Sequence, residues 1–575
     1  MRRLLFAPAI PRKAALSTGD VFIIFGTAAL LYVGVRLALH VPRVISGPDI
    51  SLRYEALPWY ALLSIGRMLG AYLLSLIFSL VYGYIAARRK SAERVLMPLL
   101  DVLQSVPILS FLPVVLLSLM AILPQGFAAE LAAIVLIFTS QAWNMTFSFY
   151  QSLTTMPAEL REAAAIFRFN PWLRLRVAEL PFSALGLVWN SIMSWSGGWF
   201  FLMAAEIYNV GSRDFRLPGL GSYLQTAAGA GNMHAVMAGL VTLILVIVAL
   251  DQFVWRPLLA WADKFKMEMV QGERPPRSWF YNLLSRSFFL EHYILPAFKR
   301  IPERIDRFFQ RRNDNTPIPG SAVDRKGKRS IAWIVLCVAL GILGAYGAVR
   351  AGVLLVRLPA SSWATIGLSL LATLLRVTVA LIVSMLWTIP VGVMIGTNRR
   401  AADFLQPIVQ IAAAIPATAL FPVLLLVLLH APGGLNLVST LLMLMGTQWY
   451  LLFNVIAGAS AIPQDLRDTT ALLRLSRFER WRTLLLPALF PYLVTGAITS
   501  SGGAWNASIV AEHVVFGGQT YATMGVGALI AQATGQADYP LLLGSTLALV
   551  AAVVILNRRV WRRLYRISEE KYRME

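Results

Sequence analysis

Long apolar stretches alternate with short polar segments along most of the chain. The apolar stretches predict membrane spans at about 21–39, 60–87, 99–123, 128–150, 182–205 and 233–255, and again at about 331–349, 363–396, 407–430, 437–458, 488–511 and 539–561. Most of them reach the roughly 20 residues that an α-helix needs to cross a bilayer. The pattern therefore predicts an all-α polytopic membrane protein with about 12 transmembrane helices.

The second half of the chain repeats the first. The polar segment from Pro157 to Pro181 returns as the segment from Pro463 to Pro487, 306 residues later. A constant spacing of this kind marks a duplicated unit. In the first copy Asn170-Pro171 predicts the start of a second short helix. In the other copy, the capping-box spacing of Ser476 and Glu479 predicts the same restart.

The duplication divides the chain into three parts. We expect a first transmembrane repeat at 1–255 with its loop at 157–181, a basic linker at 256–330, and a second transmembrane repeat at 331–575 with its loop at 463–487. Six spans per repeat is an even number, so both loops fall on the same face of the membrane. This is the arrangement of two parallel six-helix repeats.

Composition and charge support a membrane protein and give it an orientation. Hydrophobic residues make up 57% of the chain and charged residues only 14%, with a mean hydropathy of +0.65. The lipid bilayer is therefore an expected partner. The net charge of +22 does not indicate nucleic acid, because most Lys and Arg fall in segments assigned to one side. This positive-inside pattern predicts cytoplasmic N- and C-termini. The single cysteine and five histidines predict no metal site.

The loops resemble a known motif. Glu162-Ala163-Ala164 followed by Leu180-Pro181 is similar to the EAA loop of permease subunits in ATP-binding-cassette importers. In that family the loops are coupling helices that sit in a groove of the ATPase. The resemblance implies a type I importer fold and a coupling role for these residues: Leu160, Arg161, Glu162, Ala163, Ala164, Leu180, Pro181, Leu466, Arg467, Asp468, Thr469, Leu486 and Pro487. The glycine of the motif is Arg168 or Arg474 here, so we expect a different turn.

A tentative translocation path is predicted from prolines and small residues that recur in both halves. Prolines inside a span bend or interrupt its helix, and interrupted spans often line a path, although kinks can also serve packing alone. Paired glycines either line a cavity or let helices approach closely. These candidates are Pro107, Pro113, Gly197, Gly198, Pro416, Pro422, Gly502 and Gly503.

Arg67 and Arg376 are charges inside predicted spans at matching positions of the two halves. An intramembrane charge is costly, which makes a functional role the first hypothesis. Both lie near the outer ends of long spans, where an arginine can reach the interface. A structural role and a cationic lining that attracts an anion therefore both remain open.

The arrangement of Pro98, Pro107 and Pro113, followed by Glu206 and Gly219-Leu220-Gly221, looks like the nitrate/sulfonate/taurine group of importer permeases, here as two units fused in one chain. The resemblance implies import of a small anion across the bacterial inner membrane. It also implies two ATPase subunits that bind ATP and Mg²⁺ and a periplasmic substrate-binding protein, with no cofactor or catalytic residue in this chain.

Two other classes of membrane protein are alternatives to an importer permease. A secondary, ion-coupled transporter needs titratable groups in mid-membrane, but Asp101 and Asp251 lie at span ends and Glu206 and Glu512 at the outer boundary. A membrane-embedded enzyme needs a metal cluster or a nucleophile–base pair, which the cytoplasmic loops lack. The sequence therefore favours an importer permease.

Overall fold

The computed structural model describes residue 32 and the ranges 47–104, 107–167, 169–210, 213–265, 278–285, 331–428, 430–462, 472–516 and 519–571, with 466, 469 and 470 in addition. The expected span at 21–39, apart from Tyr32, and most of the expected linker lie outside these residues. Helices make up nearly all of the described part, together with two short β hairpins. The predicted all-helical architecture is confirmed.

The first repeat and the linker that follows it contain eleven described α-helices and one hairpin. They are α1 (Leu57–Arg88), α2 (Lys90–Leu103), α3 (Leu112–Met120), α4 (Gln125–Thr155), α5 (Ala158–Ile166), α6 (Pro171–Arg174), α7 (Leu180–Glu206), β1 (Asn209–Val210), β2 (Arg213–Asp214), α8 (Leu220–Gly229), α9 (Met233–Leu250), α10 (Arg256–Ala262) and α11 (Trp279–Ser285). Short 3₁₀ turns at Tyr54–Ala56, Ile108–Phe111 and Asp263–Phe265 complete it.

The second repeat follows the same order. Its elements are α12 (Ile331–Val356), α13 (Ala360–Thr397), α14 (Arg399–Ala414), α15 (Ala417–Leu428), α16 (Gly434–Ser460), α17 (Arg477–Arg480), α18 (Leu486–Ala511), β3 (His513–Phe516), β4 (Gln519–Ala522), α19 (Val526–Gln536), α20 (Tyr539–Leu556) and α21 (Arg562–Lys571). In both hairpins the two strands are antiparallel, with Val210 opposite Arg213 in the first and Phe516 opposite Gln519 in the second.

Seven helices of the described residues are long and apolar enough to cross a membrane, or eight if one strongly bent pair counts as a single span. The bent pair is α14 and α15, whose axes differ by 80°. In both repeats the third predicted span is broken, between α2 and α3 in one and between α14 and α15 in the other. Pro107 and Pro416 lie at these breaks, whereas Pro422 lies inside α15.

Matching contacts show that the two repeats share one architecture. A Cβ on Gly83 would meet Phe149 in α4, and one on Gly392 would meet Val455, the corresponding residue of α16. Both repeats also carry π-helical turns at the same places, namely before α7 and α18 (Leu175–Glu179 and Trp481–Leu485) and after α9 and α20 (Asp251–Trp255 and Asn557–Trp561).

The two repeats also pack against each other about a pseudo-twofold axis. The Leu109 amide donates to Asn506 Oδ1 at 3.4 Å, and Thr418 Oγ1 donates to the Phe200 carbonyl at 3.3 Å. Leu109 corresponds to Thr418 and Phe200 corresponds to Asn506, so the two contacts join the same pair of positions with the repeats exchanged. The largest apolar core likewise draws residues from both repeats, including Leu112, Phe421 and Trp505. One shared core means that neither repeat buries its apolar face alone.

Close packing of α13 on α16 yields a test of this fold. A Cβ at Gly396 would lie 2.6 Å from the backbone oxygen of Ile456, which cannot move aside easily. Gly396→Ala should therefore lower the free energy of unfolding by about 1–3 kcal/mol. Gly367→Ala on the same helix meets no atom within 4 Å and serves as the control. Thermal unfolding in detergent compares them, and equal midpoints would contradict the packing.

Candidate functional site

The first polar loop forms a helical hairpin outside the bundle. Helix α5 begins after Pro157, with Arg161 and Glu162 exposed and Ala164 buried. Asn170 then caps α6 through a 2.7 Å hydrogen bond from the Leu173 amide to its Oδ1, with Pro171 at the first helical position. The predicted restart of the helix is confirmed. Helix α6 continues through the π-turn into α7, which carries the half-buried Leu180 and Pro181 near its start.

The second loop keeps the same restart. Ser476 and Glu479 form the predicted capping box, in which Glu479 Oε2 accepts the Ser476 amide at 2.8 Å. These bonds from Ser476 lower the pKa of the Glu479 carboxyl below its usual value. Arg474 adopts a left-handed backbone with φ of 50°. Our expectation that this turn is made differently is therefore wrong, because arginine occupies the conformation that glycine would favour.

Several predicted coupling residues can be placed in this loop. Leu466 and Leu486 are exposed and Thr469 is helical and exposed, whereas Pro487 is half-buried. Arg467 and Asp468 lie outside the described residues.

An ionic clamp anchors the first loop to the bundle. Glu179, which is 2% exposed, accepts a hydrogen bond from Arg88 Nη2 at the end of α1. Arg174 Nε lies 2.9 Å from the same carboxylate oxygen, close enough for charge attraction without a well-aligned hydrogen bond. In the second repeat, Leu485 replaces Glu179 and packs in an apolar cluster with Val393 and Val455. The two loops are thus fixed by different forces.

Each loop also exposes a pair of large apolar side chains at its tip. Ile166 and Phe167 are 77% and 72% exposed in the first loop. Leu472 and Leu473, at the corresponding positions of the second loop, are 83% and 66% exposed. Adjacent exposed apolar side chains of this size indicate a surface that is covered by a partner.

Inside the bundle, Arg67 is enclosed by carboxylates. Its Nη1 donates to Glu206 Oε1 at 2.8 Å and to the Pro218 carbonyl at 2.9 Å. Its Nε and Nη2 donate to both oxygens of Glu130 at 2.6 Å. Ser64 Oγ donates to Glu206 at 2.7 Å. Arg67 is 4% exposed and Glu206 is fully buried, whereas the Glu130 side chain is 38% exposed, so the cluster extends from the interior to the surface at Glu130.

The second repeat builds the same cluster with two residues replaced. Arg376 Nη1 donates to Glu512 Oε1 at 2.7 Å, and its Nη2 donates to the Met524 carbonyl at 2.7 Å. Thr373 takes the place of Ser64. Asn436 takes the place of Glu130 and accepts from Arg376 at 2.7 Å. The first cluster therefore has one more negative charge than the second.

The Gly-x-Gly segments add backbone amide donors to these clusters. The Gly221 amide donates to Glu206 Oε2 at 2.7 Å, and the Gly527 amide donates to Glu512 Oε2 at 2.9 Å. A Cβ on Gly219 or Gly525 would come within about 2.2 Å of the carboxylate. Only glycine leaves room for this approach. The segments thus bind a carboxylate of the same chain at the start of α8 and α19.

The geometry favours the structural alternative for Arg67 and Arg376, because both guanidinium groups are buried and paired. Sequence reasoning placed Glu206 and Glu512 at the outer boundary without joining them to the arginines, and it missed Glu130 altogether. A signal was present, since Glu130 is an isolated charge near the start of an apolar span.

The remaining candidates for the translocation path are the glycines and prolines, and they differ in the groups that surround them. A Cβ on Gly197 would lie 3.3 Å from the Tyr450 hydroxyl of the other repeat, and one on Gly502 would meet nothing within 4 Å. Gly197 therefore adjoins the interface between the repeats, and Gly502 adjoins open space. Gly198 and Gly503 pack against Gln141 and Thr447 within their own repeats. Pro113 and Pro422 are buried in α3 and α15.

The described residues contain no group of three or more His, Cys, Asp or Glu side chains that could hold a metal ion. The charged clusters instead join helices within each repeat. Together with the broken third spans and the duplicated loops, they define a two-fold polytopic membrane protein of the transporter class.

The chain belongs to the family of inner membrane components of binding-protein-dependent transport systems. The family profile matches twice, at residues 79–254 and 388–573, and so covers more than half of the chain. The resemblance to importer permeases and the internal duplication of the permease domain are confirmed. Membership makes the chain a multi-pass inner membrane component of such a transport system.

Individual relatives match one part of the chain. The nitrate import permease protein NrtB of Synechocystis sp. is 30% identical over 152 residues, 26% of this chain and 54% of the relative. The bicarbonate transport system permease protein CmpB of Synechococcus elongatus is 30% identical over 156 residues, 27% and 52% of the two chains. The taurine transport system permease protein TauC of Escherichia coli is 26% identical over 203 residues, 35% and 70%. The matches to NrtB and CmpB thus span about half of each relative.

Loss of one partner from a buried cluster should be costly. Arg376→Leu leaves Glu512 buried without its counter-charge and should lower the free energy of unfolding by about 3–5 kcal/mol. Arg67→Leu should cost at least as much, because it leaves Glu206 in the same state and also removes the partner of Glu130, whose side chain is 38% exposed. Arg563→Leu, at an exposed position of α21, should change stability by less than about 0.5 kcal/mol.

Thermal unfolding and the monodisperse fraction in detergent give the ranking of the three variants. An Arg376→Leu protein as stable as Arg563→Leu would show that the cluster does not hold the repeat together.

Proposed function

We propose that this chain forms both membrane halves of an ATP-driven importer of a small anion, with twelve spans and two separate ATPase subunits. The observation that carries the proposal is the pair of exposed apolar tips, Ile166-Phe167 and Leu472-Leu473. They recur at corresponding positions of two loops that the pseudo-twofold axis relates. Two equivalent docking surfaces on one chain suit two copies of one partner.

Each loop combines the features of a protein docking site. The apolar tip supplies area to bury, and exposed Arg161 and Glu162 lie close to it in the first loop. Apolar side chains at the centre of an interface usually contribute most of the binding energy, whereas exposed charges mainly orient the partner. The predicted coupling residues of 157–181 and 463–487 then form the two contacts with the ATPases.

The attachment of each loop to the bundle supplies the mechanical link. In the first repeat, movement of the loop would act on α1 through Glu179 and Arg88. In the second it would act through the apolar packing of Leu485 against Val393. A short helix fixed to rigid spans can convert closure of the ATPases into a rigid-body movement of the repeats.

The substrate class comes from the relatives, whose names refer to nitrate, bicarbonate and taurine. A periplasmic substrate-binding protein as a further partner fits the family description. The positive-inside pattern supports a cytoplasmic position for both termini, the linker and both loops. The transmembrane repeats at 1–255 and 331–575 are part of the same proposal.

The alternative, a secondary ion-coupled transporter, would use a buried carboxylate to carry a proton. Glu206 and Glu512 are the buried candidates of the described spans, and both are fixed by an arginine, a hydroxyl and a backbone amide. Protonation of a carboxylate held in this way would break its ion pair with a buried arginine, which is costly. The ion pairs therefore favour an ATP-driven importer over an ion-coupled transporter.

Removal of the apolar tips tests the proposal. The double variants Ile166→Asp/Phe167→Asp and Leu472→Asp/Leu473→Asp should each weaken ATPase binding by at least about 2 kcal/mol, which is roughly 30-fold in Kd. Leu283→Asp in α11, where Leu283 is 60% exposed, adds a charge to a helix outside the two loops and is the control.

The amount of ATPase that copurifies with the tagged permease and the uptake of substrate are measured for each variant. Copurification and uptake at the level of the control would remove the main support for the importer.

A further inference from the structure

Five arginines follow the last described span of the second repeat. Helix α20 contains no charged residue, and a π-helical turn and helix α21 continue it. Residues 557–568 of this continuation carry no acidic residue and the following basic ones: Arg558, Arg559, Arg562, Arg563 and Arg566. All of them are exposed except Arg558, which is half-buried. These five side chains are named the arginine surface below.

The corresponding stretch of the first repeat, residues 251–262, carries no net charge. Its one acidic and one basic residue pair with each other, since Arg256 Nε donates to Asp251 Oδ2 at 2.7 Å. In the second repeat Arg562 corresponds to Arg256, but the neutral Asn557 replaces Asp251. The charge that a carboxylate neutralises in the first repeat therefore has no carboxylate at the same position of the second.

The two repeats also differ in what lies against this stretch. In the first repeat, Phe253 contacts Trp279 and Phe280 of α11, with ring centroids 5.9 Å and 5.0 Å apart. In the second repeat, Arg559 occupies the position of Phe253 and is exposed. An apolar helix suits the first repeat, because its rings bury one another. The arginine surface suits an anionic partner instead.

The length of α20 gives the depth of the arginine surface in the membrane. The helix runs from Tyr539 to Leu556, about 27 Å at 1.5 Å per residue, which is close to the roughly 30 Å of a hydrocarbon core. Asp538 caps its other end, where its Oδ1 accepts the Leu541 amide at 3.1 Å. The arginines therefore begin where the hydrocarbon core ends, at the level of the lipid phosphate groups.

Apolar side chains lie directly beside the arginines. Ile555 and Val560 are 50% and 41% exposed, on either side of the first two arginines in the chain. A phospholipid can use both kinds of group, because its acyl chains contact the apolar side chains while its phosphate binds guanidinium groups. Arginine binds phosphate with two parallel hydrogen bonds as well as by charge.

We propose that the arginine surface binds the phosphate groups of anionic phospholipids in the cytoplasmic leaflet, and that only the second repeat has this anchor. Helix α21 packs on α18, with Ser568 2% exposed between them. Bound lipid would therefore also hold the span that begins at the second loop. The inference goes beyond the proposed importer and rests on the cytoplasmic position proposed for the C-terminus.

Two matched positions report on the lipid beside each repeat. Val560 and Val254 correspond to each other and are 41% and 44% exposed. Each is replaced by cysteine in a Cys337→Ser background, because Cys337 is the single cysteine of the chain, and is labelled with a fluorophore. The full chain is placed in phosphatidylcholine nanodiscs. The quencher is phosphatidylglycerol or phosphatidylcholine with a nitroxide on the acyl chain near the head group.

The phosphatidylglycerol quencher should act on the Val560→Cys label at mole fractions at least about fivefold lower than the phosphatidylcholine quencher, the factor that one arginine contributes near an anionic surface. On the Val254→Cys label the two quenchers should differ by less than about twofold. The triple variant Arg559→Gln/Arg563→Gln/Arg566→Gln should bring the ratio at position 560 to near one. Lysine at the same three positions should keep most of the ratio, because the charge is kept.

The comparison of the two reporters in the otherwise unchanged chain decides the matter if the glutamine variant fails to fold. Equal quenching by the two lipids at position 560, or the same preference at position 254, would overturn the proposed anchor. A glutamine variant that loses its ATPase but keeps its lipid preference would assign the arginines to the ATPase and also overturn it. A lipid preference at position 560 in a chain that copurifies with no ATPase would overturn the importer and leave the anchor standing.

Discussion

A charged side chain buried among membrane helices must find its counter-charge and all its hydrogen-bond partners inside the protein. The pair Arg67–Glu206 and its copy Arg376–Glu512 meet this constraint in both repeats. Each pair joins the long first helix of its repeat to the end of α7 or α18 and to the backbone at the start of α8 or α19. The positions of α8 and α19 therefore depend on one ion pair each. Because Gln225 lies on α8 and Ala531 on α19, the walls of a cavity between the repeats depend on the same two pairs.

Fusion of the repeats in one chain lets the two halves differ. Two separate copies of one permease would present identical groups on both sides of the axis. Here Glu130 faces Arg67 where Asn436 faces Arg376, and the Arg88–Glu179 clamp is replaced by the packing of Leu485. The cavity between the repeats shows the same divergence, since Gln225 and His513 line it at positions whose counterparts, Ala531 and Ile207, are apolar.

The sequence predicted the duplication, the helical restart at Asn170 and Ser476, and the breaks near Pro107 and Pro416, because these features depend on local spacing. It could not predict which groups surround Arg67, because Ser64, Glu130 and Glu206 come together only when α1, α4 and α7 pack. The offset between repeats changes from 309 to 306 between α3 and α4, and this shift concealed the correspondence of Glu130 with Asn436. The left-handed Arg474 was missed for another reason. The surrounding hairpin imposes a backbone conformation that the residue type alone does not favour.

The central claim is that one chain supplies both membrane halves of the importer. Native mass spectrometry of the purified complex tests it most directly, because this chain has a mass of 63.5 kDa and a second copy would be unmistakable. The account predicts one copy of this chain with two ATPase subunits. A complex of two copies with two ATPases would contradict it, as would a chain that transports its substrate with no ATPase attached.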